Sequence, residues 1–245
     1  MSPRITFTTM LRVLNQLRRD RRTVAMLLLI PSLLMTLLHY VFDSNPALFD
    51  RTGVTLLGVF PFITMFLVTS VAMLRERTTG TLERLLSTPI SKLDLLLGYG
   101  AAFGLIAAAQ TALTCAVSLT LLDLDVSGSV LLVGLIAVAD AILGMAMGLL
   151  VSAFAATEFQ AVQFMPAVVL PQVLLCGLFA ARESMAGWLE AISAAMPLTY
   201  VVEALEELVT SPDATATYWR DLGIVAGLIA LCLVLAAATL RRRTA

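Results

Sequence analysis

Few side chains in this 245-residue sequence have both a type and a spacing that suit chemistry. The sharpest is Asp140, a carboxyl in the middle of the apolar run "VLLVGLIAVADAILGMAMGLLV" at 130–151. An aspartyl protease working inside a membrane needs two buried aspartates, and only Asp140 lies within an apolar run. A serine protease would need a GxSG-like turn and a histidine base on another helix. The nearest match, "SGSV" at 127–130, sits at a run end, and His39 is the one histidine available. Cys115, Cys176 and Cys232 each lie inside apolar runs, which argues against a disulfide framework and against a thiolate metal site. No GxxxxGK[ST] phosphate loop occurs. What remains in the apolar runs is amide chemistry. Gln110, Gln163 and Gln172, with Gln160, are candidates for a polar seam, and helix packing explains them equally well. Asp140 has the same two readings, a substrate path or a structural hydrogen bond. A charge at that depth costs at least about 2.5–3.5 kcal/mol, so it must face a polar partner, a cavity or an interface.

The other candidate is a display segment. Residues 75–96, "RERTTGTLERLLSTPISKLDLL", concentrate charge in a chain that is 13% charged and 59% hydrophobic. Gly80 suits the N-cap of a short helix starting near Thr81, with Glu83 at the third helical position, where a carboxylate favours the helix N-terminus. Pro89 stops that helix after about two turns. Ser91 then caps the next one, with Asp94 three residues on. Leu82, Leu85 and Leu86 give the short helix an apolar side, and Glu76, Arg77, Glu83 and Arg84 give it charge. Such a helix is suited to docking into a partner's groove.

These features hang on a membrane scaffold. Mean hydropathy is +0.93. Six apolar runs approach or exceed the roughly 20 residues that a helix needs to cross a bilayer. They are placed at about 23–42, 53–74, 97–122, 129–154, 161–181 and 222–240. With the N-terminus inside, only Arg51, Arg182 and Arg220 of the 16 Lys and Arg fall outside, whereas eleven of the 17 acidic residues do. The excess of Lys and Arg on the cytoplasmic side therefore puts both termini there. The fold class is an all-α membrane protein.

Two further elements are amphipathic. Residues 4–22 form a helix with Phe7, Met10, Leu11, Leu14 and Leu17 on one face and Thr8, Arg12, Asn15 and Arg19 opposite, suited to the headgroup layer. The outer loop 182–221 holds two short helices broken at Pro197. In the second, Val201, Leu205, Leu208 and Val209 oppose Glu203, Glu206 and Glu207. The pair either re-enters the outer leaflet or caps the spans. Gly144 and Gly148 have the GxxxG spacing that lets helices approach closely, within the chain or between two copies.

The run "RERTTGTLERLLSTPISKLDLLLGY" resembles the cytoplasmic loop of ABC-2 type transporter permeases, especially their bacterial drug-export branch. The resemblance extends to "PLTYVVEAL" at 197–205 and to six spans with both ends inside, so it covers essentially the whole chain. It implies one transmembrane domain over 1–245, in a bacterial plasma (inner) membrane. Residues 4–22 would be its connecting helix, 75–96 its coupling loop and 183–209 its outer helix pair. Glu76, Gly80, Thr81, Leu82, Glu83 and Pro89 match the loop motif, with Arg84 beside them, and Glu83 is the leading coupling residue. The implied partners are two copies of an ABC ATP-binding subunit, a second permease subunit (identical or not) and membrane lipids, with no nucleic acid. ATP and Mg would sit on the ATPase, and this chain would carry no cofactor and no catalytic residue. The cargo would be a hydrophobic or amphiphilic drug-like compound moved outward. Lipid or polysaccharide export is the alternative within transport, and a non-transporting scaffold that recruits a cytosolic partner is the alternative outside it.

Overall fold

The computed structural model describes residues 3–81, 84 and 91–239. Among these the fold is all helical: α1 (Pro3–Arg19), α2 (Arg21–Val41), α3 (Pro46–Thr78), α4 (Lys92–Thr120), α5 (Val130–Val151), α6 (Glu158–Leu175), α7 (Gly187–Ala194), α8 (Pro197–Thr210) and α9 (Ala216–Thr239), with a 3-10 turn at Arg182–Ser184. Six of them, α2 to α6 and α9, are long and apolar enough to cross a membrane. Each overlaps one of the six expected spans, and α9 starts at Ala216, earlier than the expected 222.

Local chemistry explains where the helices begin. Asp20 caps α2, its carboxylate accepting from the Thr23 N–H at 3.1 Å and hydroxyl at 2.6 Å. Those bonds hold the Asp20 carboxyl below the usual range. Asn45 caps α3, which has Pro46 in its first turn, where a missing N–H costs nothing. Ser91 caps α4 as expected, accepting from the Asp94 N–H at 3.0 Å. Thr157 does the same for α6 through the Gln160 N–H.

Two other spans differ from expectation. α3 begins before residue 53 and continues past 74, because "RERT" is good helix-forming sequence and nothing breaks it before Thr79 and Gly80. α6 stops at Leu175 instead of reaching 181. Gly177 there adopts φ +108, left-handed backbone that glycine tolerates, and the chain turns back toward α7.

α3 and α5 form the centre. Half or more of their apolar stretches is buried, against 22% for α2, 17% for α6 and 11% for α9. The two central helices nearly touch at the backbone. A Cβ at Gly148 would lie 2.5 Å from the Phe66 carbonyl oxygen, and one at Gly144 would run into the Phe62 carbonyl. The GxxxG pair therefore serves a contact within the chain, not one between copies. Phe62, Phe66, Ile136 and Leu143 are fully buried around that contact.

α1 packs on α4 by a second close approach, since a Cβ on Gly98 would meet the Thr9 Cβ at 2.5 Å. The buried face of α1 centres on Thr9 and Val13, while Phe7 and Leu11 are exposed. Arg12, expected on the solvent face, turns inward toward Tyr99. The two short helices expected on either side of Pro197 are α7 and α8. Val201, Leu205 and Leu208 are buried as expected, and Leu198 and Val202 join them. Trp188 on α7 is exposed.

Gly148→Ala should lower the thermal unfolding midpoint of the purified protein, since overpacking a tight contact costs about 1–3 kcal/mol. Gly134→Ala on the same helix should leave it unchanged or raise it, because nothing lies within 4 Å of a Cβ there.

Candidate functional site

The end of α3 ties this helix to its neighbours through three consecutive residues. Arg75 makes a two-pronged contact with Glu158 at the start of α6, Nε to Oε1 at 2.8 Å and Nη2 to Oε2 at 3.0 Å. Glu76 points to α1: its Oε1 accepts from Gln16 at 3.4 Å and lies 3.9 Å from Arg12 Nη2. Arg12 in turn donates to the Tyr99 hydroxyl of α4 and lies 5.5 Å from the centre of that ring. Arg77 donates to Thr239 at the end of α9 at 3.4 Å. Successive residues of a helix point about 100° apart, so three in a row reach three sides. Glu76 is only 6% exposed, so it faces inward and is not on a displayed surface.

Gly80 comes next with φ +72. Thr79 closes α3, its N–H and hydroxyl bonding to the Arg75 carbonyl at 2.9 and 2.7 Å. Gly80 thus ends one helix in the left-handed position that commonly terminates helices. It also opens the next turn, because its carbonyl accepts from the Arg84 N–H at 3.1 Å. Thr81 and Arg84 are helical. Leu82, Glu83 and Pro89 lie outside the described residues. A Cβ on Gly80 would meet nothing within 4 Å, so the conformation, and not space, calls for glycine.

The polar residues of the spans do not form one seam. Gln110 on α4 donates to Thr64 of α3, whose hydroxyl bonds to the Phe60 and Pro61 carbonyls at 3.1 and 3.0 Å. That pairing braces α3 where Pro61 removes a backbone donor. Gln172 is buried, its amide donating to the Val168 carbonyl and its Oε1 accepting from the Leu198 N–H at 3.4 Å, which joins α6 to α8. Gln163 is exposed, apart from both. Asp140 is fully buried on α5, and neither carboxylate oxygen has a hydrogen-bond partner among the described residues. A Cβ on Gly58 would be 3.3 Å from its Oδ2 and 2.9 Å from Leu205 of α8. Among the described residues, no group of three His, Cys, Asp or Glu could hold a metal ion.

Sequence reasoning missed the cluster at the other end of the molecule. Glu203 of α8 accepts from Arg182 at 3.2 Å and from Arg220 at 3.3 Å, and Arg220 also pairs with the buried Asp221 at 2.8 Å. Arg51 of α3 lies 3.9 Å from Glu206, whose carboxyl is pushed up by burial. The three arginines that stood out in the Lys and Arg count are thus all paired with acidic residues of α8. Their scarcity on that side, beside the acidic face of α8, was the available signal.

The family profile described as ABC-2 type transporter matches residues 5–209. The chain belongs to this family. It is 24% identical over 69% of its length to a probable multidrug ABC transporter permease, YbhR, of Escherichia coli K12, covering 46% of that protein. It is 31% identical over 58% of its length to YbhS, likewise a probable multidrug ABC transporter permease of that strain, covering 38% of it. It is 22% identical over 68% of its length to ABC transporter G family member 20 of Dictyostelium discoideum, covering 23% of it. The chain thus spans less than half the length of these curated relatives. The expected family is confirmed, and the motif residues of the loop fall within the matched region.

Arg12→Met should destabilise this protein by about 1–3 kcal/mol, because it leaves the Glu76 carboxylate buried without its cation, discounted for the partial exposure of Arg12. Adding Glu76→Gln should recover part of that loss. Thermal melts of the two singles and the double in detergent check the sign of the coupling.

Proposed function

We propose that this chain is the transmembrane subunit of an ATP-driven exporter, moving a hydrophobic or amphiphilic compound outward across a bacterial plasma (inner) membrane with both termini cytoplasmic. Residues 1–245 act as one transmembrane domain. A separate ATP-binding subunit, carrying the ATP and Mg, docks on residues 75–96. Two such subunits work with two permease subunits. Thr81, Leu82, Glu83, Arg84 and Pro89 are the proposed docking contacts, with Glu83 foremost. Glu76 acts behind them as a positioning residue, tying the loop to α1. Gln110, Gln163, Gln172 and Asp140 remain the proposed polar positions near the path, with Gln110 and Gln172 serving first to hold helices together.

One observation carries this reading. The segment with the family's loop motif leaves α3 just after the residues that join α3 to α6, α1 and α9. A push on that segment reaches three helices by direct polar contact, and Gly80 is the joint through which it arrives. Bistable packed elements convert small displacements of this kind into helix shifts. The outer pair α7–α8 is proposed to re-enter the outer leaflet, because Val201 and Leu205 reach Gly58 and the level of Asp140 in mid-α5.

Gly80→Val forces a β-branched residue into left-handed backbone at about 1–2 kcal/mol without a steric clash. It should leave membrane insertion intact and lower the thermal midpoint only by the small amount that this cost implies. It should reduce ATP-dependent efflux of a lipophilic dye several-fold when co-expressed with the cognate ATP-binding subunit. Unchanged efflux in both Gly80→Val and Glu83→Ala would remove the coupling role from this loop.

A further inference from the structure

A cleft of about 530 Å3 lies between α1, α3 and α4, with Val162 of α6 on its edge. Its long wall is α3. Leu67, Val71, Arg75 and Thr79 succeed one another every four residues, and Val68, Ala72 and Glu76 run beside them. At 1.5 Å per residue this wall extends about 18 Å, apolar at one end and polar at the other. Phe103 and Val13 continue the apolar part, and Gln16, Asp20 and Thr23 close the polar end.

The charge of the polar end is set by which groups are already engaged. The Arg75 guanidinium is held by both oxygens of Glu158. The Glu76 side chain is only 8% exposed and shares its Oε1 with Gln16 and Arg12. Its Oε2 is buried with no hydrogen-bond partner among the described residues. A buried, unpaired carboxylate oxygen is expensive to leave unsatisfied, and a charged acceptor gains most from an ionised donor. Asp20 adds a second carboxylate at the same end, its oxygens already accepting from the Thr23 N–H and hydroxyl.

We infer that this cleft binds an amphiphile whose polar end is a hydrogen-bond-donating ammonium group, held at Glu76 Oε2 with the hydrocarbon lying along Leu67, Val68 and Val71. An anionic head would meet the carboxylates of Glu76 and Asp20, while Arg75 is held by Glu158 and Arg12 by Tyr99 and Glu76. Two sources supply the ammonium chemistry, a resident aminophospholipid and a free amphiphilic amine. Only the naming of the amine as cargo rests on the exporter reading. Binding itself is measured without any ATP-binding subunit, so its failure leaves the coupling proposal standing and the reverse also holds.

The experiment uses the full chain in phosphatidylcholine nanodiscs with rhodamine 6G, a cationic dye bearing N–H donors, followed by fluorescence polarisation. Dodecylamine should displace the dye. Dodecyltrimethylammonium, which has the charge but no N–H, should do so about tenfold more weakly, and dodecyl sulfate not at all. Glu76→Gln should weaken dodecylamine about tenfold, and Ala72→Phe, which fills the floor of the cleft, should weaken dye and amine alike. If Glu76→Gln does not fold, Ala72→Phe and the headgroup series still decide. Loss of dye binding in nanodiscs containing phosphatidylethanolamine identifies the occupant as lipid, and retained binding identifies it as the free amine. Displacement by dodecyl sulfate equal to that by dodecylamine, or full binding in Ala72→Phe, overturns the inference.

Discussion

The arrangement of this chain depends on how closely α3 and α5 approach. In a bilayer, lipid tails are as apolar as leucine, so helices gain little from hiding apolar surface against each other. They associate where backbones come near enough for dense packing. Gly144 and Gly148 provide that, placing α5 against the Phe62 and Phe66 carbonyls of α3. The other helices are then arranged around a pair that already occupies the middle. α2, α6 and α9 keep broad exposed faces, including Leu29, Leu33, Leu170, Leu174, Leu231 and Val234. Lipid or another subunit must cover these.

With its middle locked by backbone packing, α3 carries polar attachments at its ends. At one end Arg75, Glu76 and Arg77 reach α6, α1 and α9. At the other, Arg51 lies near Glu206 of α8, and Asp50 accepts from the Asp125 N–H of the α4–α5 loop at 3.1 Å. The exposed pairs among these, Arg75 with Glu158 and Arg51 with Glu206, add little stability singly. Their consequence is directional: they fix which neighbour moves with which end.

Much of the architecture was legible in the sequence because the membrane makes composition decisive. Six apolar runs of span length in one chain leave little but a membrane bundle, and the break at Pro197 and the Ser91 cap are local chemistry that tertiary context did not override. The parts that were not legible share one physical reason. Periodicity says that a helix has a face, but not which neighbour the face meets. Arg12 and Glu76 both read as surface charges on their own helices, and they meet only because α1 lies across the end of α3. Gly144 and Gly148 can also be read as a dimer motif until α3 occupies them. Gln163 and Gln172 share a helix, yet nine residues put them on different sides, one exposed and one bonded to α8. Gly80 read as an N-cap because Thr81 and Glu83 favour a helix start, whereas its sign of φ is set by the helix that it terminates.

The length of α3 gives the coupling proposal its mechanical sense. Its 33 residues, about 50 Å at 1.5 Å each, exceed what a roughly 30 Å hydrocarbon core requires. One continuous helix therefore extends beyond that core, from the Gly80 joint to the residues that meet α8. Pro61 is the weak point, since it deprives one carbonyl of its donor. Thr64 and Gln110 brace that point from within α3 and from α4. A proline cross-braced to α4 transmits a tilt better than a bare one, because Gln110 ties α3 to α4 at that level through Thr64, whose hydroxyl bonds to the Phe60 and Pro61 carbonyls. Gly58 lies just beyond Pro61 on the side of α8, where Leu205, Val201 and the unpaired Asp140 converge. A tilt begun at Gly80 would thus arrive first at the one buried carboxyl in the spans that has no hydrogen-bond partner among the described residues, so this is where altered packing would change the environment of a polar group most.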